Sequence, residues 1–305
     1  MKRTSFLILS LLAVNVFAQN KKQPPEKVYY NLSEALKEKD KVKLLNLRGQ
    51  GITSLNDSIG LFKNVVFINL MKNKMTTLPT AIGDLQKLQE IVLDQNQINT
   101  LPAAMGNLKS LHTLQLKKNK LYDLPNNFGK LKKLQILELS YNSFYYVDSS
   151  IVEMASLHSL NLEQNKIIRI PTSINKLQKL MFLNISNNEI TALPDEIGSL
   201  KNLETLILDN NQLEELPVSL GELIKVKSLY IANNRLQGLP DCFEKMTSLE
   251  NLILSNNSIS HIPSSIYKLQ QLKLLVLIGN NIPLAEVEEL RRQLPRTDIR
   301  FESAN

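Results

Sequence analysis

Asparagine recurs at one fixed interval along this 305-residue chain, and that interval constrains the fold more than any other feature. Ten asparagines follow one another at steps of 23 residues with no insertion or deletion, and Gln50 occupies the step before the first. They are Asn73, Asn96, Asn119, Asn142, Asn165, Asn188, Asn211, Asn234, Asn257 and Asn280. Apolar positions recur with them, as in Leu206, Leu208 and Leu213 around Asn211. A fixed period of this size predicts a solenoid, in which each unit buries its apolar face against its neighbours.

Within one unit, the pattern predicts a short strand, a turn and an extended return path. Two apolar residues alternate with outward-facing residues before each asparagine, which is the spacing of a strand with one buried face. The asparagine side chain has an acceptor and two donors, so it can bond backbone groups that the turn leaves unpaired. A Leu-Pro or Ile-Pro pair follows in most units and favours an extended backbone, because proline restricts the residue before it.

These residues resemble the leucine-rich repeat family, with the pattern LxxLxLxxNxLxxLPxxIGxLxx over about residues 42–283. The LPxxIG form is similar to the 23-residue class of Ras-group and Scribble-like repeats, which also occurs in exported bacterial proteins. The resemblance implies an α/β solenoid of about eleven repeats, with a curved parallel β-sheet on the concave face and an irregular or 3-10 convex face. It also implies a non-enzymatic scaffold that binds a partner on its concave face.

Four segments are expected along the chain: a signal peptide at 1–18, a flexible arm and cap helix at 19–41, repeats at 42–283 and a C-terminal cap at 284–305. Lys2 and Arg3 precede an apolar run, and Ala18 ends a small-residue cleavage pattern. The run is too short to cross a bilayer as a helix, and no other stretch approaches that length. These features predict cleavage and export in a bacterium, to the periplasm, the cell surface or the exterior.

Both ends of an open stack need caps. Ser33 is predicted to start a short helix that extends to Lys39, and Pro283 is predicted to open a second helix. A final edge strand is predicted at Ile299–Phe301.

Candidate catalytic and metal-binding groups are few. His112 and His158 occupy equivalent places two repeats apart, which is about 10 Å and too far for a shared metal ion. His261 is expected to pack in a turn, and Cys242 is expected to be a small buried residue. The chain lacks a glycine-rich phosphate loop and a GxSxG motif. We therefore expect no catalytic residue, no metal and no cofactor, and we regard a hydrolase or lyase as the least favoured class.

Charge is unevenly distributed along the solenoid. Residues 63–133 carry a net charge of +7, and residues 134–305 carry a net charge of −5. Lys72, Lys117, Lys118 and Lys120 flank asparagines of the repeat near the concave rim. Two interpretations stay open for them, a solvated lysine surface or a binding site for an anion. Nucleic acid is not expected, because aromatic residues are sparse among the lysines and the chain carries an export signal.

The strand position four residues before each asparagine is predicted to face away from the core. In the last four repeats this position is apolar, at Ile207, Tyr230, Ile253 and Val276. With Leu274 and Ile278, these residues are predicted to form a continuous concave strip that contacts a partner, with Tyr230 as anchor. The alternative is that β-branched residues at these positions only favour the strand.

One repeat departs from the pattern, because Val147 and Asp148 replace the usual Leu-Pro pair. Phe144 is predicted to be buried by its register, whereas Tyr145 and Tyr146 either bind a ligand or pack between turns. The leading hypothesis for the whole chain is a protein ligand on the concave face. The alternative is an anionic envelope glycan, with lysines on its acidic groups and Phe67, Tyr141, Phe182 or Tyr230 stacking on sugars. Self-association through the apolar strip is a further possibility, and the sequence leaves the oligomeric state open.

Overall fold

The computed structural model describes residues 26–302, so the predicted signal peptide and most of the predicted arm lie outside the described residues. Thirteen parallel strands form one open, curved sheet in which each strand pairs with the next along the chain. The strands are β1 (Val28–Tyr29), β2 (Leu44–Asn46), β3 (Phe67–Asn69), β4 (Glu90–Val92), β5 (Thr113–Gln115), β6 (Ile136–Glu138), β7 (Ser159–Asn161), β8 (Phe182–Asn184), β9 (Thr205–Ile207), β10 (Ser228–Tyr230), β11 (Asn251–Ile253), β12 (Leu274–Val276) and β13 (Asp298–Arg300). The eleven strands β2–β12 correspond to the eleven repeats, which confirms the predicted solenoid.

The opposite, convex side consists mainly of single 3-10 turns. They span Lys39–Lys41, Asp57–Leu61, Thr80–Asp84, Ala103–Asn107, Asn126–Lys130, Thr172–Lys176, Asp195–Ser199, Val218–Glu222, Phe243–Lys245 and Ile266–Lys268. Most follow a proline, whose fixed φ suits the start of such a turn. The distance between neighbouring strands, about 4.8 Å, sets the distance between neighbouring repeats. A compact 3-10 turn lets the convex segments of neighbouring repeats stack at a similar distance.

The core is a single apolar column between the sheet and the convex turns. The middle residue of each strand from β2 to β12 is fully buried, as are the next apolar residue and the isoleucine of the IG turn; Leu206, Leu208 and Ile197 are examples. Phe144 is also fully buried, as its register predicted. Because neighbouring repeats supply both walls of this column, one repeat has no core of its own.

Each end of the column is covered by a helix and an edge strand. Helix α1 (Leu32–Lys37) begins after Asn31, whose side chain accepts hydrogen bonds from the N–H groups of Ser33 and Glu34. The predicted start at Ser33 was therefore wrong, because the asparagine two residues earlier is the cap. At the other end, helix α3 (Leu284–Gln293) buries Val287 and Leu290, and β13 pairs with β12 where an edge strand was predicted. Within residues 26–302, every helix is too short or too polar to span a bilayer.

The departing repeat contains the one convex α-helical turn, α2 (Ser149–Val152), in the described part of the chain. Asp148 stands where most repeats have proline, and its carboxylate accepts a hydrogen bond from Ser150 N at 2.7 Å. A side-chain cap thus starts the turn that proline starts elsewhere.

Candidate binding surfaces

An asparagine ladder runs along the stack where each strand ends. Asn96 Nδ2 donates to the carbonyl oxygens of Leu70 at 3.0 Å and Leu93 at 2.9 Å, and its Oδ1 accepts from Met75 N at 3.1 Å. All ten asparagines of the repeat make the equivalent three bonds. Each therefore ties its own turn to the preceding repeat, and the ladder is structural rather than available to a ligand.

The C-terminal concave strip is defined here as Ile207, Tyr230, Ile253, Val276, Leu274 and Ile278. Strand register aligns Ile207, Tyr230, Ile253 and Val276 in one row across β9–β12. Ala232, Ile253 and Val276 form an apolar cluster separate from the main core, with Tyr230, Leu274 and Ile278 packed against it. Ile253 and Val276 are only 8% exposed, because their neighbours in the row cover them. Ile207 and Tyr230 are half-buried, so they offer more of their surface to a partner.

In the polar half of the concave face, side chains accept hydrogen bonds from backbone N–H groups that the apolar strip leaves unpaired. Asn161 and Asn184 occupy the same row and accept hydrogen bonds from the N–H two residues on, as does Glu138 for Ser140 N. The apolar side chains of the strip cannot do this. The N–H groups of Asp209, Ser255 and Ile278 consequently have no acceptor within residues 26–302, and neither does that of Asp94, which follows the apolar Val92 of the same row. Unpaired backbone donors of this kind require water or a ligand.

Two carboxylates of the concave face, those of Asp94 and Glu138, are buried, and that of Asp209 is half-buried. Burial raises the pKa of Asp94 to about 7 although Lys117 N donates to it at 2.8 Å. Burial also raises the pKa of Asp209 to about 6, against a hydrogen bond from Ala232 N at 2.7 Å. The pKa of Glu138 is raised for the same reason, although Ser140 and Asn161 hydrogen-bond to the carboxylate. These acids were not singled out as buried from the sequence, because their burial arises from the inward curve of the sheet.

A raised carboxylate pKa makes the folded state bind more protons than the unfolded state. The contribution of Asp94 to stability is therefore greatest below its unfolded pKa and declines as pH rises from about 4 towards 7. We expect Asp94→Asn to flatten this decline by up to about 1.4 kcal/mol per pH unit, since the amide keeps an acceptor for Lys117 N. Urea unfolding at several pH values measures how the free energy of unfolding depends on pH in the parent protein and the variant. The exposed Asp123, changed to Asn, is the control, and equal slopes in both variants would contradict the assignment.

The predicted lysines are only partly brought together. Lys117 and Lys118 place their ammonium groups 5.1 and 5.4 Å from the ring centre of Tyr141. Lys72 occupies the turn position equivalent to Lys118 two repeats earlier, with a similar positive φ. Lys120 is exposed beyond the asparagine. Phe182, which the glycan hypothesis used for stacking, is only 7% exposed.

The remaining reactive side chains are held in packing or surface contacts. The Cys242 thiol is buried, and that burial raises its pKa. His158 Nδ1 lies 2.7 Å from the Ser156 carbonyl oxygen, and His261 Nδ1 lies 2.8 Å from Glu286 Oε1. Among residues 26–302, no three His, Cys, Asp or Glu side chains are placed to hold a metal ion.

Comparison with protein families finds leucine-rich repeat models over much of the chain. The model described as leucine-rich repeat region matches residues 171–256. A second leucine-rich repeat model matches residues 87–144 and 109–167, and a third matches residues 248–269. Comparison with curated protein sequences gives no match.

Solved structures share the architecture. A leucine-rich repeat protein of Leptospira interrogans is 26% identical, with 91% of this chain and 100% of that one covered and a TM-score of 0.50. The plant peptide hormone receptor RGFR1, in complex with RGF2, is 27% identical with a TM-score of 0.74; 87% of this chain and 44% of the receptor chain are covered. The internalin InlF of Listeria monocytogenes is 22% identical over 88% of this chain and 83% of that one, with a TM-score of 0.68, and shows the fold alone. This chain therefore spans less than half of the receptor chain.

Proposed function

We propose that this leucine-rich repeat protein is an exported, non-enzymatic scaffold that binds a partner protein on the concave face of its C-terminal repeats. The observation that carries the proposal is the C-terminal concave strip, where apolar residues cluster outside the main core in a row that is polar over the preceding repeats except at Val92. Scattered apolar residues are ordinary on a surface, whereas a contiguous group often marks a contact.

The unpaired N–H groups of Ser255 and Ile278 add a polar element beside that cluster. Backbone carbonyl or carboxylate groups of a protein partner would accept these hydrogen bonds while its apolar side chains cover the strip. Tyr230 is the proposed anchor, since aromatic residues at the centre of an interface contribute most to binding. RGFR1 provides a precedent for the architecture, as its structure was solved in complex with RGF2.

Export rests on the segment at 1–18, which has the charge, apolar run and cleavage pattern of a secretory signal. The 23-residue repeat class and a location in a bacterial envelope or outside the cell belong to the same proposal. The Leptospira relative and the Listeria internalin are bacterial proteins of the same architecture.

The test is crosslinking capture from the cell envelope with residues 19–305 as bait. We expect Ile207→Ser with Tyr230→Ala to reduce capture at least tenfold, because both half-buried side chains face the concave surface and neither belongs to the main core. Adding Ile253→Ser should deepen the loss. Quantitative mass spectrometry of the captured partner measures the effect.

The matched control changes the same row outside the strip, with Val92→Ser and Gln115→Ala. Capture should persist in this variant, and thermal unfolding must show that both variants stay folded. Equal capture by all three proteins would contradict binding at the strip.

A second candidate ligand is an anionic glycan, which the grouping of Lys117 and Lys118 around Tyr141 favours. Charge contacts at exposed lysines weaken as salt screens them. Binding to acidic polysaccharide that falls steeply between low and physiological salt, and falls further in Lys117→Ala with Lys118→Ala, would support this ligand over a protein.

A further inference from the structure

A second surface lies on the side of the solenoid where the chain leaves each ladder asparagine. We define the exit flank by the residues one, three and four positions after each asparagine. In the repeats of Asn119, Asn142 and Asn165, the third and fourth positions carry large exposed side chains. These are Tyr122, Tyr145, Tyr146, Ile168 and Arg169, and the three tyrosines are 54%, 49% and 53% exposed.

The next three repeats present the opposite shape. Their third and fourth positions are small or acidic except for Gln237, and two adjoining grooves of about 730 and 540 Å³ lie beside them. The larger groove is lined by Thr191, Ala192, Glu214, Glu215, Gln237 and Gly238, among others, and the smaller groove shares Ala192 and Glu215 with it. Projecting side chains over three repeats are therefore followed directly by recesses over three repeats.

The net charge of the exit flank changes sign at the same boundary, from +2 over the projecting repeats, which include Asp123, to −2 over the recessed repeats, which include Arg235. Lys166 and Arg169 lie on the projecting half, with their charges 5.4 Å from the rings of Tyr145 and Tyr146. Glu189, Glu214 and Glu215 lie on the recessed half and are exposed. None of these five charges has an ion-pair partner among residues 26–302.

Elsewhere on the solenoid, some charges are paired between adjacent repeats. Lys201 bonds Glu222 at 2.7 Å and Lys227 bonds Glu204 at 2.8 Å, in each case across adjacent repeats. The exit flank thus separates its net charge by sign between its two halves, and the five charges named above stay unpaired within residues 26–302. Separated, complementary charges favour specific association.

A two-fold rotation relates the two halves. The axis lies in the plane of the flank, at right angles to the length of the solenoid, and passes between the repeats of Asn165 and Asn188. After this rotation, each projecting repeat of one copy faces a recessed repeat of the other. Lys166 then opposes Glu189, and Tyr145 and Tyr146 oppose Glu214 and Glu215. At the outermost pair of repeats the first positions carry like charges, Lys120 and Arg235, so the electrostatic match rests on the more central repeats.

We propose that the exit flank is an interface between two copies of this chain, arranged antiparallel with two-fold symmetry. The same patch then contacts itself, as an isologous interface requires. Six repeats extend about 29 Å along the flank at the strand spacing. The concave strip lies on another face and stays open in such a dimer.

The test uses charge reversal in two complementary variants. Lys166→Glu with Arg169→Glu reverses the projecting half, and Glu189→Lys with Glu215→Lys reverses the recessed half. Sedimentation equilibrium of the chain from residue 19 should show a dimer for the unchanged protein and a monomer for each variant alone, with dissociation constants raised at least tenfold. Lys130→Glu with Lys133→Glu, on the convex side, should leave the dimer unchanged.

Mixing the two variants is the decisive arm. In the mixed dimer, each reversed patch meets its reversed counterpart and each unchanged patch meets an unchanged one, so dimers should return. An unchanged protein that stays monomeric at millimolar concentration would overturn the proposal. So would variants that remain dimeric, or a mixture of folded variants that stays monomeric. Envelope-partner capture at the concave strip is scored separately, so either proposal can fail alone.

Discussion

Replacing Asn96 by alanine is expected to lower the free energy of unfolding by about 3–4 kcal/mol. The change removes three hydrogen bonds, two of which join Asn96 to the preceding repeat, and it leaves the fully buried Met75 N–H without its acceptor. An orphaned buried donor costs about 1–3 kcal/mol, and each lost bond contributes about 1 kcal/mol more. The Leu93 carbonyl oxygen keeps a second donor, Asn119 Nδ2 at 3.1 Å, which limits the loss.

Asn99→Ala is the matched control for this prediction. Asn99 lies three residues further in the same repeat, is exposed, and its side chain makes no hydrogen bond within residues 26–302. Urea unfolding followed by circular dichroism should show almost no change for this variant. Similar losses in the two variants would mean that the ladder position has no special part in stability.

Gly198→Ala is expected to cost about 2–3 kcal/mol. A Cβ atom at Gly198 would lie 2.2 Å from the Ser219 carbonyl oxygen in the next convex turn. That oxygen belongs to backbone, so the clash is relieved only when two repeats move apart. The glycine is needed because the convex turns stack at the spacing that the strands impose.

Gly238→Ala tests the same substitution without the clash. Nothing lies within 4 Å of a Cβ atom at this position, and its φ lies outside the left-handed region. Its stability should therefore stay the same or rise by up to about 1 kcal/mol, through reduced freedom of the unfolded chain. Thermal unfolding of both variants decides the matter, and an equal loss at Gly198 and Gly238 would contradict the stacking argument.

Sequence periodicity predicted the fold because every repeat has the same spacing of apolar residues and asparagine, and therefore the same strand and turn. The 23-residue step placed the asparagines and the eleven strands of the repeats. Errors arose where the period ends. At the N-terminal cap, Ser33 and Asn31 are both acceptable cap residues, and only the backbone path shows that Asn31 accepts the two N–H groups.

The surfaces were less accessible to sequence reasoning, because they depend on how repeats sit beside one another. Reading one strand position at a time identified the concave strip but not that neighbours would cover Ile253 and Val276. The charge imbalance was read along the axis, so the separation of Lys166 and Arg169 from Glu214 and Glu215 on one flank went unnoticed. Comparing the residues three and four positions after each asparagine would have revealed it.

Hydrogen–deuterium exchange on the captured complex tests the binding claim most directly. Free protein should exchange the N–H groups of Ser255 and Ile278 rapidly, since neither has an acceptor within residues 26–302. Partner binding at the strip should protect peptides containing these two residues, together with the strand end at Tyr230. Protection confined to the convex turns, or to the repeats around Lys117, would contradict binding by the C-terminal concave face.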